Sequence, residues 1–251
     1  MNLKNALKKI FLLSIIMVLL LSNVYSKISK KERAEYNAGV EKFLEEKYDK
    51  TFTVLKSYKV GNAGFGTYMA SDVICDEDGI EFSIGGGSDN YLTRLWSAQG
   101  SEPIRKRLEE LYGDDFDFSY DFSIGYPNQG GFESLDYEDA IKRIHENDIG
   151  SMCTLVCFIF TDGEIDKTQE AENIFSIYET YIQPLKTNSY LVSFTYVKSS
   201  YMDEYWAYEG QFINSKKWED LLESDDMLNR VFFIDDDGVI TEEFIVKKFI
   251  K

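Results

Sequence analysis

One histidine, three prolines and three cysteines in 251 residues leave little room for several familiar chemistries. The histidine is His145, so no pair of imidazole ligands exists and no HExxH pattern occurs. That excludes catalytic zinc sites built on two or three histidines. A Ser-His-Asp or Cys-His arrangement would have to run through His145. This residue stands in IKRIHEND, near the end of an expected helix, where a cationic ring suits the helix dipole. There is no G-x-S-x-G. Cys153 and Cys157 fall within the apolar run MCTLVCFIF, away from any helix N-terminus that would stabilise a thiolate. The phosphate-loop pattern G-x-x-x-x-G-K-[ST] is missing as well; Gly85–Asn90, GGGSDN, reads as a connector whose Asp89 would repel phosphate. No catalytic residue, metal site or cofactor follows from the sequence.

An odd cysteine count leaves at least one thiol unpaired within the chain. Cys153 and Cys157 are four residues apart on an expected strand, roughly 13 Å, beyond the reach of a disulfide. A bridge from Cys75 to either one stays open. The plainer account makes all three small buried hydrophobes.

Only one long apolar run occurs, Ile10–Leu21, and it lies at the N-terminus behind Lys4, Lys8 and Lys9. As a helix it spans roughly 18 Å at 1.5 Å per residue, against about 30 Å for a bilayer core. Val24 and Ser26 suit the −3 and −1 sites of a signal peptidase, so residues 1–26 are expected to be a secretory signal cleaved after Ser26. Lys27, Lys30, Lys31 and Arg33 follow the cut and oppose translocation, which keeps an uncleaved N-terminal anchor as the alternative. The expected location is extracytoplasmic, with no transmembrane segment after cleavage.

Basic residues are also scarce. Cleavage would lower Lys+Arg from 27 to 24 against 44 Asp+Glu, a net charge of −20. Nucleic acid and anionic lipid are disfavoured as partners. A neutral or basic protein or peptide, or a glycan, is favoured; solubility alone would also account for the charge. Seventeen Tyr and 18 Phe can fill a real core, which argues against disorder.

The pattern along the chain predicts an α+β fold. Ser29–Lys50 is an amphipathic helix with Tyr36, Val40, Phe43, Leu44 and Tyr48 on one face. Thr51–Val60, Gly66–Cys75 and Ile80–Ile84 form an antiparallel meander, the last two joined at DEDG (76–79). A short helix is expected over Tyr91–Ala98 and another from Ser101, with Pro103 in its first turn, to Tyr112. Asp115–Tyr126 alternates as a strand with one wet face. YPNQGG (126–131) reads as a linker, placing domains at 27–130 and 131–251, or one continuous domain 27–251. The second half alternates: helix 136–146, strand 152–160, helix 167–185, strand 190–198 and helix 215–222. A C-terminal hairpin follows, with strands Arg230–Ile234 and Val239–Val246 around DDDG.

Three acidic turns, DEDG, TDGEID (161–166) and DDDG (235–238), invite a calcium reading. Counting back from each glycine puts Ile74, Phe158 and Phe233 at the first ligand position of an EF-hand loop, and all three fail. Turn chemistry is the expected role. Paired carboxylates for glycoside hydrolysis cannot be singled out among 44 acids. The most unusual stretch is SYMDEYWAYEGQF, whose Tyr201, Tyr205, Trp206, Tyr208 and Phe212 form the candidate binding residues. Such rings stack on sugars or anchor a partner, or else fold onto the core.

YNAGVEKFLEEKYDKTFTVLKSY and GTYMASDVICDEDGIEFSI resemble, in element order and Tyr/Phe patterning over Glu32–Ile84, small exported bacterial modules of cystatin-like or PepSY-like shape. The resemblance implies a helix across an antiparallel meander and a non-catalytic envelope module, and assigns no residue a role. The expectation is an exported binding or envelope-associated module; the alternative is an extracytoplasmic hydrolase working through Asp and Glu.

Overall fold

The structure is a computed structural model that describes residues 29–62, 66–124, 131–206, 220–221 and 223–250. The expected signal segment, the linker core 125–130 and most of the expected helix 215–222 lie outside the described residues. The chain is mixed α+β and divides into two compact units, one ending at Tyr91 and one beginning at Leu92.

In the first unit, Ser29 starts helix α1 (Lys30–Tyr48) with a reciprocal cap. Its hydroxyl accepts from Glu32 N at 3.1 Å, while its own N–H donates to the Glu32 carboxylate at 2.9 Å. Two otherwise orphaned helix N–H groups are thereby satisfied. Asp49, at φ 54°, ends the helix in the left-handed region. Val40, Leu44 and Tyr48 recur every four residues and are buried; Phe43, expected beside them, is 48% exposed. Strands β1 (Phe52–Asn62), β2 (Gly66–Cys75), β3 (Glu81–Gly85) and β4 (Ser88–Asp89) pair antiparallel in sequence order, the meander expected from the pattern.

The core of this unit is aromatic. The Tyr91 ring lies 4.7 Å from Tyr48, 5.2 Å from Phe82 and 5.4 Å from Phe52. Such ring pairs each contribute about 0.5–1.5 kcal/mol beyond their buried area. The polar ends of the rings are satisfied by acids. Asp89 accepts from Tyr48 Oη at 2.7 Å, Lys47 Nζ at 2.9 Å and Tyr91 N at 3.2 Å. A carboxylate this buried persists because it is fully partnered. Asp89 of the glycine-rich connector is therefore a structural acid.

Helix α2 (Tyr91–Tyr112), which belongs to the second unit from Leu92 onward, runs unbroken where two helices were expected. Pro103 lacks the N–H that would reach Gln99 O and should break the helix. Packing overrides it: Leu92, Trp96, Gly100, Ile104 and Leu108 are all buried at a four-residue spacing, one stripe through the proline. Strands β5 (Phe116–Ile124), β6 (Ser151–Phe160), β7 (Ser189–Val197) and β8 (Met227–Ile234) form a sheet in that order. β6 and β7 are parallel; the outer pairs are antiparallel. The division expected near Gly130 runs through this sheet, because β5 pairs with β6 along its whole length.

Register places Phe116, Phe118, Tyr120 and Phe122 of β5 opposite Ile159, Cys157, Leu155 and Cys153 of β6. The helices cover that apolar face. Trp96 of α2 and Tyr137 of α3 (Tyr137–Asn147) lie 6.4 and 5.4 Å from the Phe122 ring. α4 (Lys167–Ile177) makes the crossover from β6 to β7 and continues through a π turn and a 3₁₀ turn to Leu185. On the opposite face Phe158, Phe160, Val197, Tyr205, Leu221 and Met227 form a second cluster, to which the short helix α5 (Met202–Trp206) contributes Tyr205.

The expected C-terminal hairpin is corrected: β8 is followed by a 3₁₀ turn at Asp235–Asp237 and by helix α6 (Glu242–Lys247). Thr241 caps α6 by accepting from Phe244 N, and Glu242 and Glu243 fill its first turn. A cap with first-turn acids outweighs the strand preference of Phe244, Ile245 and Val246. All three cysteines are free and buried. Among the described residues no helix is long and apolar enough to cross a membrane.

Candidate functional site

A crevice forms where the parallel strands β6 and β7 end. Thr161 N donates to Val197 O at 2.8 Å, which holds the two strand ends together. The chain then turns through Asp162-Gly163 into α4. Asp166 caps that helix, accepting from Thr168 N and Gln169 N at 3.0 and 3.3 Å, and Glu170 sits in its first turn. On the β5 side, Gly113 at φ 64° turns the end of α2 into the sheet, and Asp115 O accepts from Phe160 N. The loops after strand ends in α/β sheets are common ligand sites. Here they border an open crevice of about 320 Å³, lined by Tyr112, Ile159, Tyr196 and Glu170, with Asp115, Glu164 and Asp166 adding carboxylates. No lysine or arginine is among the described residues that line it.

Glu170 organises the crevice. Its Oε2 accepts from Tyr112 Oη at 2.6 Å and from Tyr196 Oη at 2.7 Å, while Oε1 takes a long contact from Asn173 Nδ2 at 3.5 Å. Burial and then the Glu170 charge push the Tyr112 phenol far above its ordinary range. Burial, Tyr112 and Glu170 do the same to Tyr196. Both phenols therefore stay protonated and act as donors, which fixes the Glu170 carboxylate beside Tyr112 and Tyr196. That arrangement is suited to holding a cation.

A hydrolytic pair needs a carboxyl raised towards neutrality. The described carboxylates that move all go down. Hydrogen bonds from Ser29 lower Glu32, those from Thr51 lower Glu77, and Lys248 and Ile234 N lower Asp237. Burial alone would raise Asp78, but Lys50, Tyr91 and Ile80 N outweigh it; Lys247 lowers Glu243. The acidic turns thus work as turns: Asp78 accepts from Ile80 N, and Asp237 from Ile234 N and Lys248 Nζ. Among the described residues no group of three His, Cys, Asp or Glu is placed to hold a metal ion. His145 Nε2 lies 2.6 Å from Leu185 O; a carbonyl only accepts, so that nitrogen carries the proton and the ring ties α3 to the end of the α4 extension.

Of the aromatic segment chosen from the sequence, the described residues place Tyr205 and Tyr201 against the core. Tyr205 is buried, its ring 4.9 Å from Phe158 and 5.3 Å from Phe160, and its hydroxyl donates to Asp117 Oδ2. It is a core residue because those rings offer it an apolar bed and Asp117 satisfies its polar end. Tyr201 is half-buried against the same cluster. Trp206 closes α5, and its side chain, together with Tyr208 and Phe212, lies outside the described residues. Tyr112, Glu170 and Tyr196, which do converge, come from three separate elements.

The first unit has a concavity of its own, an apolar groove of about 550 Å³ lined by Tyr36, Val40, Phe43, Tyr68, Met69, Ile84 and the turn Gly85–Gly87. A Cβ at Gly85 would fall 2.9 Å from Ala70 Cβ and 3.1 Å from the Tyr68 ring, so the turn is pressed against the sheet.

Fold and site together define an α+β protein with an acidic, tyrosine-walled crevice. No protein-family model and no curated protein matches the sequence. Among solved structures the chain is similar to a DUF5037 family protein from Ruminococcus gnavus, at 14% identity and a TM-score of 0.49, covering 86% of this chain and 94% of that one. A likeness of that size assigns no role to any residue of the crevice.

Proposed function

We propose that this chain is an exported, non-catalytic binding protein, an extracytoplasmic or envelope-associated module whose crevice receives a positively charged group of a basic protein or peptide. The export part rests on the tripartite pattern of residues 1–26. The binding part rests on one observation: Glu170 Oε2 held by the hydroxyls of Tyr112 and Tyr196 within an open, acid-lined crevice. An ammonium or guanidinium entering there meets a hydrogen-bonded carboxylate beside the half-buried Tyr112 ring, a pairing worth about 0.5–1 kcal/mol at a solvent-open site. The charge of −20 on the mature chain steers cations inward and anions away. We assign the partner to this crevice because its tyrosines and Glu170 converge, whereas Tyr205 of the Tyr201–Phe212 segment is core.

The test is calorimetric titration of the mature protein with an oligolysine peptide, an oligoarginine peptide, a neutral peptide of equal length and an oligoglutamate peptide. The basic peptides should bind, with affinity falling as salt rises. Glu170→Gln should weaken binding about 10-fold, equivalent to about 1.4 kcal/mol, with the near-ultraviolet circular dichroism of the fold retained. Equal binding of the neutral peptide, or a folded Glu170→Gln that binds as the parent does, would overturn the assignment.

A further inference from the structure

We draw no further inference here: the strongest candidate, the apolar groove of the first unit between Tyr36, Val40 and Phe43 of α1 and the Gly85–Gly87 turn, carries nothing because nothing in the structure shows what covers it.

Discussion

Two glycines inside helices should respond to the same substitution with opposite signs. Gly100 lies on the buried stripe of α2, where a Cβ would fall 2.7 Å from Tyr137 Cζ, 2.8 Å from Tyr137 Oη and 2.8 Å from Tyr120 Cε1. Those rings have little room to retreat. Tyr120 is buried, and the two hydroxyls are hydrogen-bonded to each other. Gly39, in α1, has nothing within 4 Å of the same ideal position. Replacing an interior helix glycine by alanine gains about 1 kcal/mol of helix preference, while forcing a methyl into a filled core costs about 1–3 kcal/mol. With three tyrosine side-chain atoms inside 3 Å, Gly100→Ala belongs at the upper end of that cost, a net loss of about 1–2 kcal/mol. Gly39→Ala should gain up to about 1 kcal/mol. For a chain of this size each kcal/mol moves Tm by about 2–4 °C. Urea titrations followed by circular dichroism measure both variants. In a Tyr137→Leu background, which removes Cζ and Oη, the penalty of the new methyl should shrink, and the double-mutant cycle reports the coupling. A Gly100→Ala protein as stable as the parent would mean that the rings do not press on α2 as described.

Three further outcomes are expected. Asp78 has a folded pKa below its unfolded value, so the native state favours its ionised form; that contribution is present above about pH 4 and is lost as pH falls through the folded value. Acid titration of Asp78→Asn should show a shallower loss of stability below pH 4 than the parent, and identical acid curves would remove Asp78 from the account. Burial pushes the Cys153 thiol up to about 12 and raises Cys75 and Cys157 as well, so iodoacetamide should label none of them in the native protein and all three in 6 M guanidinium; rapid native labelling, or a Cys153–Cys157 crosslink in a non-reducing peptide map, would contradict the strand geometry. N-terminal sequencing of the exported protein should begin at Lys27, and an intact Met1 in a membrane fraction would establish the anchor instead.

Local signals carried the first unit. The Ser29–Glu32 cap, the four-residue spacing of Val40, Leu44 and Tyr48, and the Asp-Gly turn at 78–79 each act within a few residues, so reading them in order yields the helix and the meander. Strict alternation in FDFSYDFSI likewise exposed β5. What stayed hidden depends on contacts between distant elements. Pro103 announces a break that the buried stripe of α2 overrules, and the stripe is visible only if Gly100 is counted as a packing position. At the C-terminus, Phe244–Val246 reads as strand until Thr241 and the two glutamates after it are weighed as a cap. The crevice was illegible for a simpler reason: Tyr112, Glu170 and Tyr196 meet only because β6 and β7 run parallel with α4 between them. One trace was available, since a tyrosine on the buried face of β7 needs a partner for its hydroxyl, and an acid in the first turn of the crossover helix is within reach.

The connectivity of the two sheets bears on the order in which they form. β1 to β4 pair with their immediate successors across short connections, so loop closure costs little and this sheet can assemble as soon as its own residues are free. The second sheet cannot: β5 waits for β6, and the parallel register of β6 with β7 requires residues 161–188 to be threaded back along the sheet before the first ladder bond forms. A chain delivered N-terminus first would therefore complete its meander early and, once β6 has paired with β5, keep the other edge of the MCTLVCFIF strand open until the crossover to β7 is made.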